Sequence, residues 1–300
     1  MNQVQVALKV DVDTLVGLRE GVPRLCRALG SRGIRATFFL SLGPDNSGRA
    51  IFRVFRRKGF LNKMIRNRAP AAYGFKTLFY GTLLPAPMIG ERTKGVLAAL
   101  GETEHEIGVH GYDHVFWHDH LGRLGEAQVQ EQMTAGIDAV TRLTGRQVRA
   151  FASPGWQVSR ASLAVQDLIG FKYASDTRGR HPFRPDLDGI HYLTPQIPTT
   201  MPTMDEIMGL PGVGRDQLAA AMLSHIKKTQ LNVMTIHAEI EGRGYLNDFL
   251  SIIRVLQDRG AGFVTLEEVA ANLPLGEDLP SSPVVMGFLP GRAGQVALQR

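Results

Sequence analysis

The 300-residue chain predicts an α/β protein built on a parallel sheet, either open or closed into a barrel. Three observations carry that expectation. Strand-like apolar runs alternate with helix-like runs along most of the chain. Gly30, Gly145, Gly170 and Gly260 stand just past the helical runs, where glycine is favoured. Polar residues able to do chemistry sit at the ends of the apolar strands, and in parallel α/β folds the active site gathers at the strands' carboxyl ends.

The elements follow in order. The first strand, Val4–Val12, contains VALKVDVDT, in which Val6, Leu8 and Val10 alternate with Ala7 and Lys9 before Asp11 and Asp13. A helix is predicted over Leu18–Leu29 and a strand over Arg35–Leu42. Strands at Glu106–His110, Val148–Ser153 and Lys172–Ser175 alternate with helices at Glu126–Leu143 and Arg160–Leu168. Helix Arg215–Lys228, strand Asn232–His237, helix Leu246–Arg259 and strand Gly262–Thr265 complete the pattern. Residues 1–274 form one expected domain, and 275–300, rich in Pro, Gly and Ser, read as a mobile tail.

Bulk properties narrow the class. The apolar fraction is 44% and the charged fraction 21%, ordinary for a water-soluble domain. Cys26 is the single cysteine, so no intrachain disulfide can form and a reducing compartment is expected. No signal-peptide pattern opens the chain, and no apolar run reaches the roughly 18–20 residues of a spanning helix. A cytoplasmic location follows as the expectation.

The net charge of +6 is concentrated. Residues 46–90 hold nine Lys/Arg and no Asp or Glu, so the remainder is mildly acidic. In RAIFRVFRRKGFLNKMIRNR, Phe52 and Phe55 fall on one stripe of a helix and Arg49, Arg53, Arg56 and Arg57 on another. A solvated basic face explains this only in part. The interleaved apolar stripe favours an anionic membrane surface over a nucleic-acid backbone, so no nucleic-acid partner is expected.

The chemistry-bearing residues sit at strand ends. Asp11 and Asp13, two apart on a strand, point to one face. Like charges that close repel, and a bound cation would offset the repulsion. One carboxylate can ligate a metal while the other takes a proton from a metal-bound water. HGYDH places His110 and His114 four apart, the spacing that aligns two imidazoles on a helical turn. Two imidazoles and a carboxylate make a divalent-metal site with open positions. Five of the nine histidines lie between His105 and His120, so pairing by chance must be weighed, and His118 and His120 read as loop residues. His237 ends an apolar run, VMTI, and with a pKa near 6.5 is a natural proton donor. A non-haem iron site would also use two His and a carboxylate. The extra Asp and the late His suit hydrolysis better, and neither base nor acid is missing as it would be in a degenerate binding module.

This constellation resembles the NodB-homology polysaccharide deacetylases, carbohydrate esterase family 4. The resemblance implies an irregular (β/α) barrel of about seven strands. It implies that Asp11 is the general base, that Asp13, His110 and His114 hold the metal, and that His237 is the general acid. The metal would be zinc, manganese, cobalt or nickel. The strand end where the family carries an Arg reads Ala152-Ser153-Pro154-Gly155-Trp156, so Arg149, Arg178 and Arg184 are the candidates to orient the base. Backbone N–H groups near Gly155 are expected to face an oxyanion. Asp176 is expected to hold His237 or an arginine, and Trp156, Arg184 and Glu239 to line the substrate pocket.

More narrowly, LREGVPRL, LGPDNSGR, HGYDH, YASDTRG, HPFRP and TIHAEIEG are similar to the deformylases of formamido-arabinose linked to undecaprenyl phosphate. That similarity runs from about Val6 to Leu273. It implies removal of a formyl group from a lipid-linked sugar at the cytoplasmic face of an anionic inner membrane, within lipid A modification and polymyxin resistance. An N-deacetylase of another N-acyl sugar or polysaccharide is the alternative.

Overall fold

The computed structural model describes residues 4–49, 77, 79–208, 210–274, 278–292 and 294–300. Its centre is a seven-stranded, wholly parallel sheet. The strands are β1 (Gln5–Val12), β2 (Thr37–Leu40), β3 (Glu106–Val109), β4 (Ala150–Phe151), β5 (Tyr173–Ala174), β8 (Asn232–His237) and β9 (Gly262–Val264). Their order is β5-β4-β3-β2-β1-β8, and β9 pairs with the start of β1. The gap between the outer strands is bridged by an irregular stretch. Ile197 N–H donates to Ala174 O of β5, and Thr200 and Met201 N–H both reach Val233 O of β8. The expected irregular barrel is therefore present, and one of its staves is not a regular strand.

Strand alternation separates two cores. Val6, Leu8, Val10 and Val12 belong to the large cluster shared with the surrounding helices. Ala7 belongs to an interior cluster with Phe39, Ala150, Ala152, Tyr173, Ile197 and Val233. Period-two alternation puts Lys9 and Asp11 on this inner side too. Small alanines line the interior and leave room there for polar side chains.

Helices cover the outside: α1 (Val22–Gly30), α2 (Lys94–Gly101), α3 (His114–His120), α4 (Glu126–Thr144), α5 (Arg160–Ile169), α6 (Met204–Met208), α7 (Leu218–Leu223), α8 (Leu246–Asp258) and α9 (Leu266–Ala271). Gly145 and Gly170 take the left-handed conformation at the ends of α4 and α5, as their positions predict. Two expected helices differ. The first begins as a π turn, Gly17–Gly21, before α1. A Cβ on Gly17 would meet the Glu239 carboxylate and one on Gly21 the Ala238 carbonyl, so this turn lies directly on the end of β8. The helix expected over Arg215–Lys228 contains only α7 after a 3-10 turn. Asn232 accepts from Lys227 N–H (2.8 Å) and donates to Lys227 O (2.9 Å), tying that segment to β8 instead of a helix.

A second, four-stranded sheet of order β11-β10-β6-β7 lies beside the barrel. It contains β6 (Arg184–Leu187), β7 (Ile190–His191), β10 (Ser281–Phe288) and β11 (Gln295–Gln299). The hairpin β6–β7 turns on Asp188 (φ 56) and Gly189 (φ 81), the Asp-Gly signal of a two-residue turn. The tail expected to be mobile thus contributes β10 and β11 to this sheet. Its Pro, Gly and Ser content hides two strand patterns whose buried residues, Val284 and Ala297, pack on Phe183.

Of the basic insert, Phe52, Arg53, Phe55, Arg56 and Arg57 lie outside the described residues. Arg49 ends a 3-10 turn and donates to Gly81 O (2.9 Å). Among the described residues, no helix is long and apolar enough to cross a membrane.

Candidate metal centre and active site

Parallel register assembles the site. Asp11 is the Cα partner of His237 on β8 and of Phe39 on β2. His110 follows β3, bonded through its N–H to Leu40 O, and Ala152 follows β4, bonded to Val109 O. The carboxyl ends of five strands therefore meet around Asp11.

Asp13 Oδ1 lies 3.3 Å from His110 Nε2, and Asp13 Oδ2 lies 3.3 Å from His114 Nε2. Ligand atoms of these three residues lie within 4.8 Å of one another. The two histidines do not share a helical turn, as their spacing predicts. His110 ends a strand, Gly111 (φ 67) reverses the chain, and His114 opens α3. Asp113 caps that helix by accepting from Val115 and Phe116 N–H. His118 and His120, read as loop residues, lie in its last turn.

His110 Nδ1 lies 2.8 Å from Ala152 O, and a carbonyl can only accept. Nδ1 therefore carries a proton, and Nε2, 3.3 Å from Asp13 Oδ1, is the ring atom left to ligate a metal. The buried oxygens Asp11 Oδ1 and Asp13 Oδ1 find no hydrogen-bond partner. Buried carboxylate oxygens without donors, with imidazole Nε2 atoms 3.3 Å from Asp13, fit a divalent cation. Burial pushes Asp13 up, but the positive charges of His114, His110 and His237 outweigh it and hold the carboxyl well below its usual range.

The cation beside Asp11 is Lys9, two residues earlier on the same strand. Its ammonium lies 3.2 Å from Asp11 Oδ2 and donates to Ser175 O (3.2 Å). The side chain is fully buried, with its charge 5.3 Å from the Trp156 ring centroid and 5.5 Å from that of Phe39. The sequence signal was a lysine inside an otherwise apolar buried strand, in phase with both aspartates. None of the expected arginines takes this place. Arg149 is exposed and bonds Gln147. Arg184 lies on β6 of the second sheet. Arg178 is buried and bonds Glu206 (2.6 Å) and Met201 O (2.8 Å).

His237 is surrounded by carboxylates. Its Nδ1 lies 4.0 Å from Asp205 Oδ1, and its backbone N–H donates to Glu241 (2.8 Å). Burial lowers its pKa, but Asp205, Asp13, Glu241 and Asp11 outweigh burial and raise it to about 9. Neither Asp205 nor Glu241 has a sequence signal of its own. The Trp156 ring stands edge-on to His237 at 6.4 Å.

Three expected roles change. Asp176 contacts neither His237 nor an arginine. It accepts from Ser153 N–H (2.7 Å), Gln166 (2.6 Å) and Gln196 (3.3 Å), and burial raises its pKa to about 6. Glu239 accepts from Asp13 N–H (2.8 Å), Thr14 N–H (2.7 Å) and the Thr14 hydroxyl (2.8 Å), so it shapes the loop after β1. Near the expected oxyanion site, Trp156 N–H donates to Ser153 O (3.1 Å), which withdraws it from that role. Gly155 (φ 66) has no room for a Cβ, which would meet the His118 ring.

With this geometry in place, the comparisons bear on it. The polysaccharide deacetylase profile matches residues 2–174. A relative from Shewanella sediminis, described as a 4-deoxy-4-formamido-L-arabinose-phosphoundecaprenol deformylase, is 34% identical across 99% of this chain and 95% of its own. One of the same description from Wigglesworthia glossinidia brevipalpis is 32% identical across 95% and 99%. Among solved structures, a polysaccharide deacetylase from Mycobacterium smegmatis superposes with a TM-score of 0.62 at 17% identity, covering 92% of this chain and 95% of its own. A family 4 acetyl xylan esterase from Clostridium thermocellum, solved with a cobalt ion, gives 0.51 at 15% identity, covering 89% and 90%. The structural likenesses show the same barrel. With the family profile and relatives alike over nearly their whole length, the chain belongs to the polysaccharide deacetylase family, as an amide hydrolase that removes an N-acyl group from a sugar.

Proposed function

We propose that this enzyme removes the N-formyl group of 4-deoxy-4-formamido-L-arabinose carried on undecaprenyl phosphate, releasing formate and the free 4-amino sugar lipid. The observation that carries the reading is the cluster of Asp13, His110 and His114, with Asp11 and His237 as register partners beside it. The relatives' description supplies the substrate.

A divalent cation held by Asp13, His110 and His114 would polarise the amide carbonyl and acidify a water. Asp11, held by Lys9, accepts the proton of the attacking water. His237 donates a proton to the departing C4 nitrogen, so the C–N bond breaks to a neutral amine. Trp156, itself buried, backs His237 edge-on. With the Trp156 N–H bonded to Ser153 O, the Gly155 N–H is the backbone group proposed as oxyanion donor.

Formate release tests the reading. The lipid-linked formamido sugar should give stoichiometric formate, chelation should stop it, and zinc, manganese, cobalt or nickel should restore it to different extents. Faster turnover of the N-acetyl analogue would instead favour an N-deacetylase of another sugar.

The protonated state of His237 sets a pH limit. A donor with pKa about 9 carries its proton below that value and loses it as pH rises through it. The rate should therefore fall on the alkaline side. A bound cation cancels part of the negative charge that raises His237, so the limb in kcat/KM should lie at or below about 9. A rate rising steadily past pH 10 would remove His237 as the donor.

The basic segment of residues 46–90 supports a contact with the anionic cytoplasmic leaflet, where such a substrate resides. Replacing Arg53, Arg56 and Arg57 by Glu should release the protein from anionic vesicles in sedimentation, while neutral vesicles show no difference.

A further inference from the structure

The ordered C-terminal hairpin places one arginine beside the active site. Between β10 and β11 the chain turns at Gly291 (φ 78) and Arg292. The Arg292 guanidinium carbon lies 4.4 Å from the Trp156 ring centroid. That same indole stands edge-on to His237. The hairpin reaches this position by its own hydrogen bonds. Gln157 donates to Gln295 O (2.7 Å), Arg178 N–H to Ala297 O and Gln299 N–H to Arg178 O (both 2.8 Å).

The turn is built for close approach. A Cβ on Gly291 would stand 2.1 Å from Glu206 O, so only glycine lets the loop lie on α6, which carries Asp205 and Glu206. Trp156 is held equally firmly. It has φ 53, a left-handed conformation that a bulky residue adopts only under external constraint. Its indole N–H donates to Thr199 (3.1 Å), and the charges of Lys9, Arg178 and Arg292 all pack on its ring.

Arg292 is weakly satisfied where it sits. Its Nη1 reaches Glu206 Oε1 at 3.5 Å, an oxygen already taken by Arg178 at 2.6 Å. The other oxygen of Glu206 accepts from Thr203 N–H. Two arginines thus share the Glu206 carboxylate, Asp205 is the other acid whose charge reaches Arg292, and the Arg292 side chain keeps 17% exposure. A guanidinium has five N–H donors in a planar fork that suits a phosphate oxygen pair.

Substrate chemistry supplies the partner, and this step rests on the lipid-linked reading above. A nitrogen at C4 prevents closure through O4, so the sugar is a six-membered ring. C1 and C4 then lie on opposite sides of that ring. With the C4 amide at Asp11 and His237, the C1 phosphodiester points away from the metal by the width of one sugar. We infer that Arg292, on the Trp156 platform, binds the monoanionic phosphodiester at C1 of the substrate and thereby selects phosphate-linked formamido sugars. Trp156 then serves two ends of one sugar, with His237 at one edge and Arg292 on its ring.

Two soluble probes test this: methyl 4-formamido-4-deoxy-arabinosyl phosphate, and the methyl glycoside that lacks the phosphate. The native enzyme should favour the phosphodiester in kcat/KM by about 30-fold, the scale of a charge-assisted contact. In Arg292→Ala that preference should collapse toward one, mainly through KM, and Arg292→Lys should keep part of it. Gly291→Ala, which displaces the turn, should also reduce it. An unchanged preference in Arg292→Ala, or equal losses on both sugars, would overturn the inference. Tryptophan emission gives a second readout that needs no turnover. The chain has two tryptophans, Trp117 and Trp156, and the Arg292 guanidinium packs on the Trp156 ring, so a change on adding the phosphodiester that persists in Trp117→Phe reports Trp156. Its midpoint should rise at least about tenfold in Arg292→Ala. If neither sugar releases formate yet the midpoint shifts, the reaction has been misassigned while the subsite stands. An unshifted midpoint sinks the subsite.

Discussion

Replacing Asp11 with Asn should lower kcat by about 10³-fold while the metal content stays at one equivalent. The amide keeps the shape of the carboxylate but cannot take a proton from water. Asp11 Oδ1 is buried without a partner, and Oδ2 faces Lys9 at 3.2 Å, so the change touches the base and leaves Asp13 and the two histidines in place. Metal analysis beside single-turnover formate release separates the two. A variant with full activity would remove Asp11 as the base, and one that lost metal as well would make it a ligand. Lys9→Met is the graded counterpart. It removes the ammonium that ties Asp11 to Ser175 O across the barrel and should lower kcat by about 10²-fold with metal retained, the scale of a misplaced reacting group. Lys9→Arg should recover part of that loss.

His110→Ala should strip the metal and, with it, the activity. The residue supplies one of three ligand side chains, and its Nδ1–H to Ala152 O fixes the ring that presents Nε2. Loss of a mere orienting partner costs roughly 10–100-fold in metal affinity, so loss of the ligand itself should exceed that. Equilibrium dialysis against zinc or manganese checks it. Burial lowers the His110 pKa, but Asp11 and Asp13 outweigh burial and raise it, so protons should compete with metal as the solution is acidified. A variant that binds metal as tightly as the native enzyme would move the centre elsewhere.

The barrel was legible because period-two and helical patterns are local. Val6, Leu8 and Val10 announced a buried strand, and Asp11, Asp13, His110 and His237 announced the polar ends of three strands. The second sheet was not legible. The Asp188-Gly189 turn between β6 and β7 carried a recognisable signal, but Pro and Gly in the tail masked the alternation of β10 and β11. Strands that find partners 97 residues away, as β10 finds β6, owe their order to packing, here Val284 and Ala297 on Phe183.

The candidate site divides in the same way. Residue types and strand ends pointed to Asp11, Asp13, His110, His114 and His237, because such chemistry needs carboxylates and imidazoles where apolar strands stop. Partnership was beyond the sequence. Asp205 approaches His237, Lys9 takes the place expected of an arginine, and Asp176 turns to Ser153 and Gln166. These depend on register and on which side chain fits the space left by Ala7, Ala150 and Ala152. The sequence by itself determined the fold class, the family and the candidate reacting groups, since pattern and composition carry them locally. Only the tertiary structure decided which cation meets Asp11, which carboxylate approaches His237 and which arginine packs on Trp156. Each of those is a through-space contact between distant segments, set by a few ångströms of packing.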